Sequence, residues 1–174
     1  MIIWLIGMSG SGKTTLGELL VKKLRSQYNN IVFLDGDIMR KLWGDSPGHD
    51  IAGRHINAQR ISHLCKFLDT QNIHVVAAVL SIFPEWQRWN REHFSSYFEI
   101  FLDIGMDTLK KRDTKNLYKQ AEKGLLCNVV GIDIKFPTPE NPDMIVTEEM
   151  QKNSPELVVN YIMEQLPKNL EQKE

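Results

Sequence analysis

The nine residues from Gly7 to Thr15 read GMSGSGKTT. Gly7, Gly12, Lys13 and Thr14 satisfy G-x-x-x-x-G-K-[ST], the spacing of a phosphate-binding loop. Each residue type has a chemical reason to be there. Glycines, with Gly10 among them, let the backbone curl so that successive N–H groups across Ser9, Ser11 and Thr15 point inward at phosphate oxygens. A helix opening near Lys13 would add unpaired N–H groups and the positive end of its dipole. The Lys13 ammonium reaches the β- and γ-phosphates, and the Thr14 hydroxyl is a ligand for Mg²⁺. A Gly/Ser-rich turn would share the composition, but not the apolar run before it and the amphipathic pattern after it.

Two further stretches could act on a bound triphosphate. LDGDIMR, Leu34 to Arg40, carries Asp35 and Asp37 directly after a β-branched run. An acceptor hydroxyl needs a carboxylate to take its proton as the P–O bond forms. One of the pair is equally well read as the N-cap of a following helix, and the two roles can coexist. From Lys110 to Gly124 the chain holds Lys110, Lys111, Arg112, Lys115, Lys119 and Lys123 against Asp113 and Glu122, a local excess of four positive charges. Such a run is either a solvated helix face or a basic lid that neutralises transferring phosphate.

The elements that must position these groups alternate. Apolar runs IIWLI (2–6), IVFL (31–34), VVAAVL (75–80), YFEIFL (97–102) and MIV (144–146) read as strands. Between the first two, Leu16, Leu19, Leu20 and Leu24 share one face at helical spacing, and residues 54–70 repeat the pattern through Ile61, Leu64, Cys65 and Leu68. Ser154 followed by Pro155 predicts an N-cap and first-turn proline, opening a helix to about Leu166. The tail PKNLEQKE is expected to be frayed. Strands alternating with helices predict an α/β fold, a parallel sheet of about five strands covered on both faces in three layers, with residues 1–174 as one domain. Asp35 and Asp37 would then stand at the C-terminal edge of the sheet, where ligands bind in open α/β folds. Trp86, Trp89 and Phe94 are expected in the core rather than on a partner face.

Bulk properties exclude several classes. A formal net charge of −1 gives no reason to expect nucleic acid as a partner. No apolar run approaches the ~18 residues of a membrane span, and Cys65 and Cys127 have no metal-ligand spacing, which fits reduced thiols in a cytoplasmic protein. The base-reading Asn-Lys-x-Asp of signalling GTPases is not matched by DTKNLYKQ, and transport and motor ATPases are usually larger. A small chain with one phosphate loop and a late basic segment suits a kinase that takes ATP and Mg²⁺.

In sequence the chain resembles the adenylylsulfate (APS) kinases over roughly residues 4–146. GMSGSGKTT, LDGDIMR, GRHINAQRI, AAVLS, EIFLD, KRDTKNLYKQA and GIDIKFPTPENP follow in that family's order and near its spacings. The resemblance implies a P-loop kinase fold with a lid at about 110–138, acting on the ribose 3′-hydroxyl of adenylyl sulfate. It makes Asp37 the base for that hydroxyl, with Asp35 supporting the metal beside Thr14 or holding the loop. Arg40, Arg54 and Asn57 would hold the acceptor nucleotide, Lys115 its anionic group, and Arg112 the ATP side. Phe136 would stack on the acceptor base. Ser81 matches a serine treated in that family as a phosphoserine intermediate, although in-line transfer needs only positioning and charge stabilisation. A strand-edge serine that hydrogen-bonds a ligand, a water or the adjoining turn is the other reading. The family commonly forms homodimers.

Three departures bear on the acceptor. His49 stands where APS kinases carry a phenylalanine that stacks on adenine. The family's Ser-Pro-x-Arg becomes SIFPEWQRWN, and its Pro-Lys-Gly-Leu-Tyr becomes TKNLYKQA, keeping Lys115 and Tyr118. The sequence also lacks the family's usual N-terminal extension before the first strand. In its compact length, early phosphate loop and altered stacking position the chain is similar to short APS-kinase-like proteins of bacterial capsule pathways, whose acceptor is the 3′-hydroxyl of cytidine diphosphoramidate. A degenerate nucleotide-binding protein is the non-enzymatic alternative, opposed by the retention of Lys13, Thr14, Asp37, Arg54 and Lys115.

Overall fold

The computed structural model describes residues 1–44 and 47–167. The end of the tail predicted to fray, from residue 168 onward, lies outside the described residues. Strands β1 (Ile2–Ile6), β2 (Ile31–Asp35), β3 (His74–Val79), β4 (Tyr97–Asp103) and β5 (Met144–Thr147) form one sheet in the order β2-β3-β1-β4-β5. Every pairing is parallel. The strands agree with the sequence expectation to within a residue or two at each end.

Helices α1 (Lys13–Leu24), α2 (Gly36–Leu42), α3 (Ile51–Thr70), α4 (Pro84–His93), α5 (Met106–Lys111), α6 (Leu117–Glu122) and α7 (Pro155–Gln165) complete the fold. Side chains of a strand point alternately to its two faces, so β1 feeds two cores. Ile3 and Leu5 pack with Leu16, Leu20 and Leu24 of α1 and Val158, Val159 and Ile162 of α7. Ile2, Trp4 and Ile6 pack with Ile61 and Cys65 of α3 and with Phe94. Each core residue removed from water contributes roughly 1.5–3 kcal/mol, and β1, buried throughout, is where the two layers meet. Ser154 caps α7 as predicted, its hydroxyl accepting from the Leu157 N–H at 3.4 Å with Pro155 in the first turn.

The aromatic trio divides. Phe94 is buried against Trp4 and Tyr97, and Trp89 packs on the same core, but Trp86 is half-buried and lines the cleft at the sheet edge. One buried charge interrupts the apolar strands: Glu99 of β4 accepts the Tyr97 hydroxyl at 2.7 Å. Burial pushes its carboxyl above the ordinary range.

Candidate active site

A cleft of about 1220 Å³ runs along the C-terminal edge of the sheet. The loop after β1 forms one end, the β2–α2 junction the floor, and α3 with residues 81–86 and 126–130 the far end. The loop falls where strand order reverses, since the chain leaves β1 toward β2 on one side and leaves β3 toward β4 on the other.

Within Gly7–Thr15 the backbone curls as the motif requires. Gly12 has φ +93° and is the N-cap of α1, a left-handed conformation that an L side chain disfavours. The Lys13 ammonium folds back onto the loop, donating to the Met8 carbonyl at 2.8 Å and contacting the Ser11 hydroxyl at 3.4 Å. Burial lowers its pKa to about 8, against the opposing pull of the Asp37 and Asp35 charges. Such an ammonium is poised to gain an anionic partner.

Asp35 takes the capping role foreseen for one of the aspartate pair and also reaches the phosphate loop. Its Oδ1 caps α2, accepting the N–H groups of Asp37 at 2.9 Å and Ile38 at 3.2 Å, while its Oδ2 accepts the Thr14 hydroxyl at 2.7 Å. One carboxylate thus ties the acceptor-side turn to the phosphate loop. Asp37 is free of capping duty and meets Lys115 of the basic run, Nζ to Oδ2, at 2.8 Å. Burial favours the neutral form of Asp37, but the Lys115 contact, then Lys13 and His49, hold its carboxyl below the usual range.

Beyond Asp37 the cleft is basic. Arg40 is almost wholly buried, and its guanidinium donates to the Pro47 and Gly48 carbonyls, each at 2.7 Å. Arg54 donates to the Asn128 carbonyl at 2.6 Å, and its Nε is buried without a partner. Asn57 accepts from the Trp43 indole at 2.8 Å and reaches the Gly36 carbonyl at 3.4 Å. His49 lines the same end; burial, then the Arg40 and Arg54 charges, lower its pKa and keep the imidazole neutral at pH 7.

Ser81 lies in the cleft with φ +53°, uncommon for a residue with a side chain. Its hydroxyl faces the Trp4 indole N–H at 3.2 Å and the Gln87 amide at 3.3 Å, with Gln87 also on its carbonyl at 2.9 Å. These hydrogen bonds tie the strand edge to Trp4 of β1 and Gln87 of α4. Phe136 is the predicted site residue that the structure sets apart. Its ring stacks on Phe101 of β4, 6.0 Å between centroids, and lines a separate cavity. The cleft wall there is built from Leu126, Val129 and Val130 instead.

The basic run divides between its two readings. Arg112 and Lys115 line the cleft, Lys110 pairs with Glu122 at 2.6 Å, and Lys111, Lys119 and Lys123 form a solvated face. Gln87 and Gln151 went unforeseen. Both are single amides outside any motif, so no spacing announced them.

The family model for adenylylsulphate kinase matches residues 1–147. The chain belongs to the adenylylsulfate kinase family. The cytidine diphosphoramidate kinase of Campylobacter jejuni is 39% identical over 157 residues, covering 90% of this chain and 91% of that protein. The adenylyl-sulfate kinase of Pseudomonas aeruginosa PAO1 is 32% identical over 97% of this chain and 86% of its own. Among solved structures, the Mycobacterium tuberculosis APS kinase in complex with AMPPNP and APS superposes with a TM-score of 0.84 at 28% identity, covering 94% of this chain and 95% of that one. As a member of this kinase family the protein is a phosphotransferase that acts on a hydroxyl group of a nucleotide. Among the described residues no helix is long and apolar enough to cross a membrane.

Proposed function

We propose that the protein transfers the γ-phosphoryl group of MgATP to the ribose 3′-hydroxyl of a small activated nucleotide, with cytidine diphosphoramidate as the acceptor. The observation that carries the reaction is the placement of an ionised carboxylate, Asp37, in the same cleft as the phosphate loop, with Arg40, Arg54, Asn57 and Lys115 around it. Adenylyl sulfate is the second reading, favoured by the family and by relatives named for it.

Two observations favour the cytidine acceptor. His49 lines the acceptor end where a stacking phenyl ring would be expected, and Phe136 is turned away onto Phe101. His49, Leu126, Val129 and Val130 line that end together with Phe83 and Trp86, and an imidazole in place of a phenyl ring offers an adenine less stacking area and suits a smaller pyrimidine. The relative with 39% identity is, by name, a cytidine diphosphoramidate kinase.

The side chains divide the chemistry. Backbone N–H groups of the loop and the Lys13 ammonium would hold the donor's phosphates, and Asp37 would take the proton of the acceptor hydroxyl as its oxygen bonds to phosphorus. Lys115 now neutralises Asp37; an anionic tail on the acceptor competes for that ammonium and restores basicity to the carboxylate. Thr14 and Asp35, in mutual contact at 2.7 Å, fit a magnesium ion held chiefly by phosphates and water, since among the described residues no three acidic, His or Cys side chains converge as a cage. That ion would supply charge neutralisation on the phosphates.

Incubation of the purified protein with MgATP and each acceptor tests the assignment. Cytidine diphosphoramidate is expected to be phosphorylated with the higher kcat/KM. Turnover of adenylyl sulfate alone, at low concentration, would overturn the choice of acceptor, and no turnover of either would favour a degenerate nucleotide-binding protein.

A further inference from the structure

Two carbonyl oxygens of the phosphate loop are claimed by side chains from distant parts of the chain. The Tyr118 hydroxyl donates to the Ser9 carbonyl at 2.8 Å, and the Gln151 amide donates to the Ser11 carbonyl at 2.9 Å. Gln151 lies in the short 3-10 turn Met150–Lys152 between β5 and α7. Its other amide atom, Oε1, accepts from the Arg112 guanidinium at 2.7 Å. Its side chain also closes on the loop: a Cβ added at Gly12 would stand 3.6 Å from Nε2.

The peptide plane gives this bridge a consequence. In a trans peptide the C=O and the following N–H point in opposite directions. Holding the Ser11 carbonyl from outside therefore aims the Gly12 N–H the other way, along the direction in which the loop offers its donors. At the same time the acceptor end of Gln151 fixes one N–H of Arg112 and hence the plane of the guanidinium, leaving its remaining donors for a ligand. A carboxamide donates at one end and accepts at the other within a single side chain. A carboxylate would lose the loop, and an ammonium would lose the arginine.

We propose that Gln151 is a positioning residue for the donor nucleotide, setting the Gly12 peptide and the Arg112 guanidinium together through one amide. The inference rests on the reading of residues 7–15 as the donor phosphate site and adds to it the element that locks that site to the base of the lid.

Calorimetric titration of MgATP into the acceptor-free protein tests this without any turnover. Gln151→Met, similar in length and able to make neither bond, is expected to weaken MgATP binding roughly tenfold, the worth of two ordinary hydrogen bonds. Gln151→Glu keeps the Arg112 contact but cannot donate to Ser11 and sets a negative charge beside the loop, so it should bind at least as weakly. In steady-state assays both variants should raise the ATP KM, with kcat at saturating ATP and the acceptor KM within about twofold of the parent. Should Gln151→Met fail to fold, Gln151→Glu in the same titration decides. Parental affinity in the variants would overturn the inference, and so would an equal rise in both KM values, the mark of general loosening. Failure of the parent protein itself to bind MgATP would instead overturn the phosphate-site reading.

Discussion

Burial of the Asp37 carboxyl favours its neutral form, while the Lys115 hydrogen bond and the Lys115 and Lys13 charges favour the ion, and the ion wins. If Asp37 is the base, it must be ionised before the acceptor arrives, and Lys115 would then prepare the carboxylate that it must later release. Asp37→Asn is expected to preserve MgATP binding and to cut kcat by about 10²–10⁴-fold, read in a coupled phosphoryl-transfer assay. Unchanged turnover would remove Asp37 from the chemistry. Lys13 gives a pH signature of its own. Its free pKa of about 8 must rise when phosphates surround it, so binding above that pH takes up a proton. MgATP affinity should therefore be level below about pH 8 and fall above it by at most roughly tenfold per pH unit, as titration at several pH values would show. In Lys13→Arg, where the charge persists, the fall should vanish whatever the overall affinity.

At the scale of elements, the junction between β2 and α3 shapes the acceptor end. Asp50 caps α3 by accepting the Gly53 N–H at 2.7 Å, and the chain passes so near the helix that a Cβ on Gly53 would stand 2.3 Å from the Gly48 carbonyl oxygen. That carbonyl is also a partner of Arg40. Gly53→Ala must push the loop away, at a cost of roughly 1–3 kcal/mol, and displace Arg40 and His49 with it. A lowered Tm with a raised acceptor KM and an unchanged ATP KM is the expected result. Much of this layer was legible beforehand. A continuous apolar run located β1, helical spacing located α1, and Ser154–Pro155 marked the start of α7, because burial and capping leave a local imprint. The packing of Phe136 on Phe101 left none, since it joins β4 to the returning lid across a long stretch of chain. Resemblance alone had assigned that ring to the acceptor. Gln151 escaped for a related reason: its meaning lies in two partners, Ser11 and Arg112, that are remote in sequence.

Across the whole molecule, the parallel sheet brings every group of the site to one edge. The phosphate loop follows β1, Asp35 ends β2, Ser81 follows β3, and Arg112 and Lys115, beyond β4, line the same cleft. On the proposed reading the charges are ordered in the same sense, with Lys13 and Arg112 toward the donor, Asp37 between, and Arg40 and Arg54 toward the acceptor. Donor and acceptor would then enter one cleft from opposite ends and meet at a single carboxylate. The most direct measurement is a crystal structure with magnesium, a non-hydrolysable ATP analogue and an acceptor nucleotide bound together. The β- and γ-phosphates should lie within residues 7–15, and the acceptor's 3′-oxygen should stand about 3 Å from an Asp37 carboxylate oxygen. A polyphosphate bound elsewhere, or an acceptor hydroxyl facing away from Asp37, would contradict it.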